Sequence, residues 1–317
     1  MQVTKQTLTV GIVGAGIIGC SWATVWARAG HRVAIFDSNA AVLERVFEHL
    51  TRHIRDSERV GQEFHPGLES RVTLHLELKD AVAHADFVQE SVAEDLEIKR
   101  DLFQRLDRLT RPEAILASST SAIPMSKFTE DLERRQRCLI VHPATPPHTL
   151  PATEVVPAPW TDRAVVERTL GLLKDVGQSP VLVKNEHPGF AMNRLQGALL
   201  IEMFRLIEAG VITASDADTL VTDGFALRWA VLGPIEAIDL NADGGIEEYL
   251  GRYGDIYDRM AQEKHETGRL MAPSLVDGLV KQLREQLPLE QIDIKRSWRD
   301  QRIAMLKRLL TKKGNDA

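Results

Sequence analysis

The segment VGIVGAGIIGC (residues 10–20) limits the fold of this chain more than any other. An apolar run with strand composition, LTVGIVG (8–14), leads directly into IIGCSWATVWARAG (17–30), which has helical spacing and a glycine stop at Gly30. Between them Gly14, Gly16 and Gly19 stand in G-x-G-x-x-G spacing. The first glycine permits a tight turn, the second lets backbone N–H groups approach a pyrophosphate, and the third lets helix and strand pack closely. A second strand candidate, RVAIFD (32–37), ends on Asp37, about 20 residues beyond the glycines, where a dinucleotide-binding unit carries its ribose acceptor. The chain therefore opens with a β-α-β unit.

The alternation continues. Further strand candidates are RVTLH (71–75), DFVQES (86–91), AILASST (114–120), CLIVH (138–142), TEVVPA (153–158) and PVLVKN (180–185). A charged segment, LERVFEHLTRHIRDSERVG (43–61), reads as a helix extending from the domain surface. After NEHPGF (185–190) only helical patterns follow: NRLQGALLIEMFRLIEAG (193–210) ending at Gly210, SDADTLVTDG (215–224) with Ser215 or Asp216 as its cap, and QIDIKRSWRDQRIAMLKRLLTKK (291–313). The expected architecture is an α/β Rossmann-type N-terminal domain with a mostly parallel sheet (1–187), followed by an all-α C-terminal domain (188–317). The boundary falls near His187 and Pro188.

A formal net charge of −6 argues against a general nucleic-acid or acidic-membrane surface. Cys20 and Cys138 fall in segments that read as buried, with no CxxC and no cysteine framework, which favours a reducing compartment. Neither a signal-peptide core nor a membrane-length apolar run is seen, so a cytosolic protein is expected. No metal site is expected.

Asp37 is suited to accept hydrogen bonds from adenosine ribose hydroxyls, and its charge would repel the additional phosphate of NADP. FDSNAA (36–41) offers no arginine to offset that repulsion. NAD is the expected cofactor, held by Gly14, Gly16, Ile17, Ile18, Gly19 and Asp37. Hydride transfer from an alcohol to NAD needs a base for the hydroxyl proton, and His142 stands at the carboxyl end of a predicted strand, where open α/β sheets place ligands. Glu154 lies twelve residues on, at the start of the next strand, with four prolines between. Proline stiffens its own φ and biases its predecessor towards extended geometry, so a rigid return could bring the carboxylate to the far ring nitrogen. That contact would set the tautomer and stabilise the imidazolium.

GAGIIG with Asp37, QESVAEDLEIKR (89–100), SSTSAIPMS (118–126), HPATPPHTLPATEVV (142–156) and PGFAMNRL (188–195) resemble successive motifs of the 3-hydroxyacyl-CoA dehydrogenase superfamily. Through DGFALRWAVLGPIEAIDLNADGG (223–245) and SWRDQR (297–302) the resemblance is to its lambda-crystallin, or L-gulonate 3-dehydrogenase, branch, and it covers nearly the whole chain. It implies that His142 is the catalytic base and Glu154 its partner. It further implies that Ser121 bonds the reacting oxygen, that Asn193 contacts substrate or nicotinamide at a cleft between domains, and that Glu94 and Lys99 serve the cofactor. From the residues alone, Ser121 equally suits a turn, Asn193 a cap, and Glu94 and Lys99 exposed helix charges. Two positions depart from the family pattern: Thr145 stands where asparagine is usual, and His148 where an aromatic residue is common in the branch.

Members acting on free hydroxy acids resemble this chain at FALRWAVLGP (225–234), whereas thioester-acting members lack the arginine. Arg228 could hold a carboxylate by a two-pronged, charge-assisted bond, which suits a small anionic substrate, and the resemblance implies an L-3-hydroxy acid, L-gulonate first. The alternatives are a 3-hydroxyacyl-CoA (3-hydroxybutyryl-CoA) dehydrogenase and an NAD-binding structural or sensor protein with weakened catalysis. The helix faces of the second half are too apolar for one small domain, so homodimerisation through it is expected.

Overall fold

A computed structural model of the chain describes residues 7–59, 67–263 and 273–312. Eight strands form one sheet: β1 (Thr9–Val13), β2 (Arg32–Phe36), β3 (Val72–His75), β4 (Phe87–Glu90), β5 (Ile115–Ser118), β6 (Cys138–Pro143), β7 (Ala152–Pro157) and β8 (Ser179–Leu182). Every strand read from the sequence is present, and their order is β3-β2-β1-β4-β5-β6-β7-β8. All pairings are parallel except that of β6 with β7. The reason is local. A parallel connection needs a crossover of a dozen or more residues, and the proline-bearing return between these two strands, residues 144–151, is too short for one.

Strand alternation divides the apolar side chains between two cores. On one face Val10, Ile12, Ile35, Leu139 and Val141 pack against α1 (Ile17–Arg28), α3 (Val46–Arg59) and α7 (Arg163–Asp175), with Trp22 and Trp26 fully buried. On the other, Val13, Val88, Leu116 and Ile140 meet α4 (Leu78–Val82), α5 (Leu96–Leu109) and α6 (Ser126–Thr129). The charged segment at 43–61 differs from expectation. It breaks at Arg45 into α2 (Ala40–Glu44) and α3, and α3 does not extend from the surface. Val46, Leu50 and His53 are buried, and the helix packs along α1; the last two residues of that segment lie outside the described residues. Its apolar stripe, interleaved with charges, required a partner surface.

Contacts group the residues up to Leu195 with those from Ser297 onward, and Gln196–Arg296 form a second unit. The helix α8 (Met192–Glu208) starts in the first and continues in the second; it is followed by α9 (Ala214–Thr219), α10 (Ala226–Trp229), α11 (Pro234–Asp239), α12 (Gly245–Gln262), α13 (Pro273–Gln286) and α14 (Ile292–Lys312). Gly210 takes φ +69°, the left-handed geometry that ends α8. The cap of α9 is Thr213, whose Oγ1 accepts from Asp216 N, and not Ser215 or Asp216, which lie inside the helix. Large apolar side chains in the second unit remain uncovered, with Leu227, Val231, Ile235 and Leu240 between 65% and 72% exposed.

Candidate active site

The glycine turn lies at the carboxyl end of β1. Gly14 has φ +99°, and a Cβ there would come 2.7 Å from the Ser91 carbonyl oxygen; one on Gly19 would come 1.9 Å from that of Gly14. Only glycine fits either place. At Gly16, by contrast, nothing lies within 4 Å of an added Cβ. Gly16 is the N-cap of α1, no side chain caps that terminus, and Ile17 at its start is exposed while Ile18 packs inward. Open N–H groups at the positive end of a helix suit a pyrophosphate. Asp37 accepts from Ala15 N at 2.9 Å and from Asn39 N at 2.9 Å, which places its carboxylate against the turn. Cys20, nearby, is inert: burial, reinforced by Asp37, pushes its thiol up to about 12.

His142 and Glu154 face each other across the antiparallel β6–β7 pair. Both are buried, and His142 Nδ1 lies 2.7 Å from Glu154 Oε2. The second carboxylate oxygen accepts from Ala191 N and Met192 N, each at 2.8 Å, at the start of α8. Burial opposes ionisation of Glu154, but the His142 bond and the two backbone donors outweigh it and hold its pKa below the usual carboxylate value. An ionised acceptor requires Nδ1 to carry hydrogen, so in the neutral imidazole it is Nε2 that bears the lone pair. The Phe190 ring lies 5.8 Å from the imidazole. Phe190 adopts φ +48° immediately after Gly189 at +77°, an uncommon geometry for a non-glycine residue, and is almost fully buried. The turn that strains it also delivers the two amides to Glu154.

The remaining expected residues of the first unit are linked to one another by hydrogen bonds and an ion pair. Asn193, one residue beyond Met192, donates from Nδ2 to the Ser121 carbonyl at 2.7 Å. Ser121 N and Ala122 N donate to Glu94 Oε1 at 3.0 and 3.1 Å, and Thr120 Oγ1 donates to the same oxygen. Glu94 is half-exposed; its burial disfavours the charge, yet the Thr120 bond, Lys99 and the backbone donors hold its pKa low. Lys99 is not an exposed helix charge. Its ammonium is buried 2.8 Å from Glu90 Oε1 and 3.5 Å from Glu94 Oε2.

Glu90 escaped the sequence reading. It is fully buried, also accepts from Val92 N at 2.7 Å and from the Ser118 hydroxyl, and burial raises its pKa against the pull of Lys99. The available signal was a carboxylate near the end of a predicted buried strand, DFVQES, since such a charge requires a buried partner. Removing one member of a buried ion pair costs about 3–5 kcal/mol.

His148 and Thr145, the departures from the family pattern, lie on the return between β6 and β7, where the Thr145–Pro146 peptide is cis. His148 is buried, with Nδ1 2.9 Å from Ser21 Oγ and its ring stacked on His53 at 3.8 Å. It serves the packing of the return against α1 and α3. Arg228 lies in the second unit on α10, directly after a π-helical turn (Leu220–Phe225) and beside stacked Phe225 and Trp229 rings. Its side chain is exposed, and no carboxylate among the described residues pairs with it.

Residues 9–186 match the model of the 3-hydroxyacyl-CoA dehydrogenase NAD-binding domain, and residues 189–284 that of the 3-hydroxyacyl-CoA dehydrogenase C-terminal domain. The chain belongs to this family. As a 3-hydroxyacyl-CoA dehydrogenase family member it is an oxidoreductase that uses NAD and acts on a hydroxyl group. Among relatives, a lambda-crystallin homolog of Bos taurus is 41% identical over 250 residues, 78% of each chain. An L-carnitine dehydrogenase of Streptomyces coelicolor is 35% identical over 255 residues, 80% of each. A solved NAD+-dependent dismutase, 5-formyl-3-hydroxy-2-methylpyridine 4-carboxylic acid 5-dehydrogenase, superposes with a TM-score of 0.84 at 28% identity over 96% of this chain and 99% of its own.

Proposed function

We propose that this dehydrogenase oxidises the 3-hydroxyl of a small L-3-hydroxy acid to the 3-keto acid, with L-gulonate the first candidate. One observation carries the reading: a buried imidazole whose Nδ1 lies 2.7 Å from a buried carboxylate, an arrangement that turns Nε2 of the neutral ring into the base. His142 takes the hydroxyl proton at Nε2, and Glu154 stabilises the imidazolium that results. Bound NAD supplies the hydride acceptor for the carbinol hydrogen. Ser121 donates to the reacting oxygen, and Asn193 orients the Ser121 turn beside it. Glu94 serves the cofactor directly, while Lys99, committed to Glu90, holds Glu94 in place.

Arg228 holds the substrate carboxylate; its exposed side chain, with no carboxylate partner among the described residues, supports this role. The domain division near His187 and Pro188 (1–187 and 188–317) is supported by the spans of the two family models. A homodimer through the helical domain is supported by its uncovered apolar side chains. Two free, buried cysteines favour the cytosol, and no described helix is long and apolar enough to cross a membrane.

The test is NADH formation from NAD with L-gulonate, 3-hydroxybutyrate, L-carnitine and 3-hydroxybutyryl-CoA. The expected result is turnover of a free acid, weakened at least tenfold in kcat/KM by Arg228→Met through loss of a charge-assisted bond. Faster turnover of the thioester than of its free acid would identify an acyl-CoA enzyme. Tight NADH binding without turnover of any hydroxy acid would identify a sensor or structural protein.

A further inference from the structure

At the carboxyl edge of the sheet the strand order β1-β4-β5-β6 sets the glycine turn, Ser91, Ser119 and His142 in a row. Ser91 and Ser119 continue the ladders one residue past their strands, Ser91 N donating to Val13 O and Ser119 N to Glu90 O. Their hydroxyl oxygens lie 2.9 Å apart. Beneath them Gln89, with no exposed surface, donates from Nε2 to Ser119 Oγ at 2.8 Å and to the Val141 carbonyl at 3.3 Å. The Val141 carbonyl only accepts, so the amide orientation is set and both of its donors are used. Its Oε1 is buried without a partner among the described residues.

The protons of this group can be counted. Two hydroxyls share one hydrogen bond, so one O–H is spent within the pair whichever serine donates, and the other remains available. Gln89 cannot absorb it at Ser119 Oγ, because there the amide is the donor. Both serines are only half-buried, so the unspent donor belongs to the open end of the group. Neighbouring strands are about 4.8 Å apart, which puts the glycine turn and His142 about 14 Å from each other with the serine pair between them. Ser91 also backs directly onto Gly14, its carbonyl oxygen occupying the space a Cβ would need.

We propose that the Ser91–Ser119 hydroxyl pair, anchored by Gln89, is the subsite that receives the carboxamide of the nicotinamide ring. The inference rests on NAD being the cofactor. The pair offers one hydroxyl donor, and a carboxamide carbonyl is the matching acceptor. Its place between the pyrophosphate turn and the catalytic base is where the reacting end of the dinucleotide must lie. Gln89 is a positioning residue that acts through Ser119.

The test compares two ligands that share the adenosine and pyrophosphate but differ at the far end, NADH and ADP-ribose, by calorimetric titration of the wild type, Ser119→Ala and the Ser91→Ala/Ser119→Ala double variant. Loss of one neutral hydrogen bond weakens NADH binding about fivefold in the double variant and leaves ADP-ribose binding unchanged. ADP-ribose affinity also reports that the glycine turn is intact. Unchanged NADH affinity, or equal weakening of both ligands, overturns the assignment.

Discussion

An imidazole at the end of a strand becomes a base only when its other nitrogen is committed, and here Glu154 does this while being held itself by two amides of α8. Replacing Glu154 by glutamine removes the charge that stabilises the imidazolium and offers the α8 amides a weaker acceptor. Glu154→Gln is expected to lower kcat about a hundredfold or more and His142→Gln by about 10² to 10⁴, with NADH affinity within about twofold of wild type. Unaltered kcat in His142→Gln, measured by stopped-flow NADH formation, would remove His142 from the mechanism, and in Glu154→Gln it would remove the carboxylate's role. The histidine and its carboxylate were legible because they are twelve residues apart on one stiff return. Glu90 with Lys99, and Gln89 with Ser91 and Ser119, were not. Their partners lie nine to 52 residues away, and a hydroxyl or amide on a strand carries no local mark of what it will meet.

At the scale of elements, strand periodicity and glycine punctuation exposed all eight strands, whereas α3 packs on α1 through an apolar stripe that includes a buried polar seam. His53 on α3 has Nδ1 2.8 Å from Thr24 Oγ1; the Thr24 proton is used on the Cys20 carbonyl, so His53 is the donor. Burial first, then the neighbouring His148, His49 and Arg52, drive the His53 pKa well below its ordinary 6.5. The sign follows from linkage. Below about pH 6.5 the unfolded chain binds a proton that the folded chain refuses, so stability falls as pH falls, by up to about 1.4 kcal/mol per pH unit. Thermal melts between pH 7.5 and 5.5 should show a steeper loss for wild type than for His53→Asn, which cannot titrate. Parallel pH profiles would show that α3 is held by its apolar contacts alone.

At the scale of the whole molecule, Leu227, Val231, Ile235 and Leu240 point to a missing surface. A second copy is the expected cover, because a self-complementary face closes as a two-fold dimer. Sedimentation should give about twice the chain mass of 35.4 kDa. The double substitution Leu227→Glu and Val231→Glu should bring it to the single-chain mass by placing charges in an apolar contact. A wild-type protein sedimenting as one chain would rule the dimer out.

The sequence alone determined what depends on neighbours along the chain: the succession of strands and helices, the glycine turn, the acidic end of β2, and the stiff return that pairs His142 with Glu154. The tertiary structure alone decided which side chains from separate strands and helices share a buried space. It brought Lys99 between two glutamates, set His148 on His53, folded α3 against α1 and joined two serines over a glutamine. Burial makes an unpartnered polar group costly, and partners drawn from distant segments become visible only when the sheet has set its strand order.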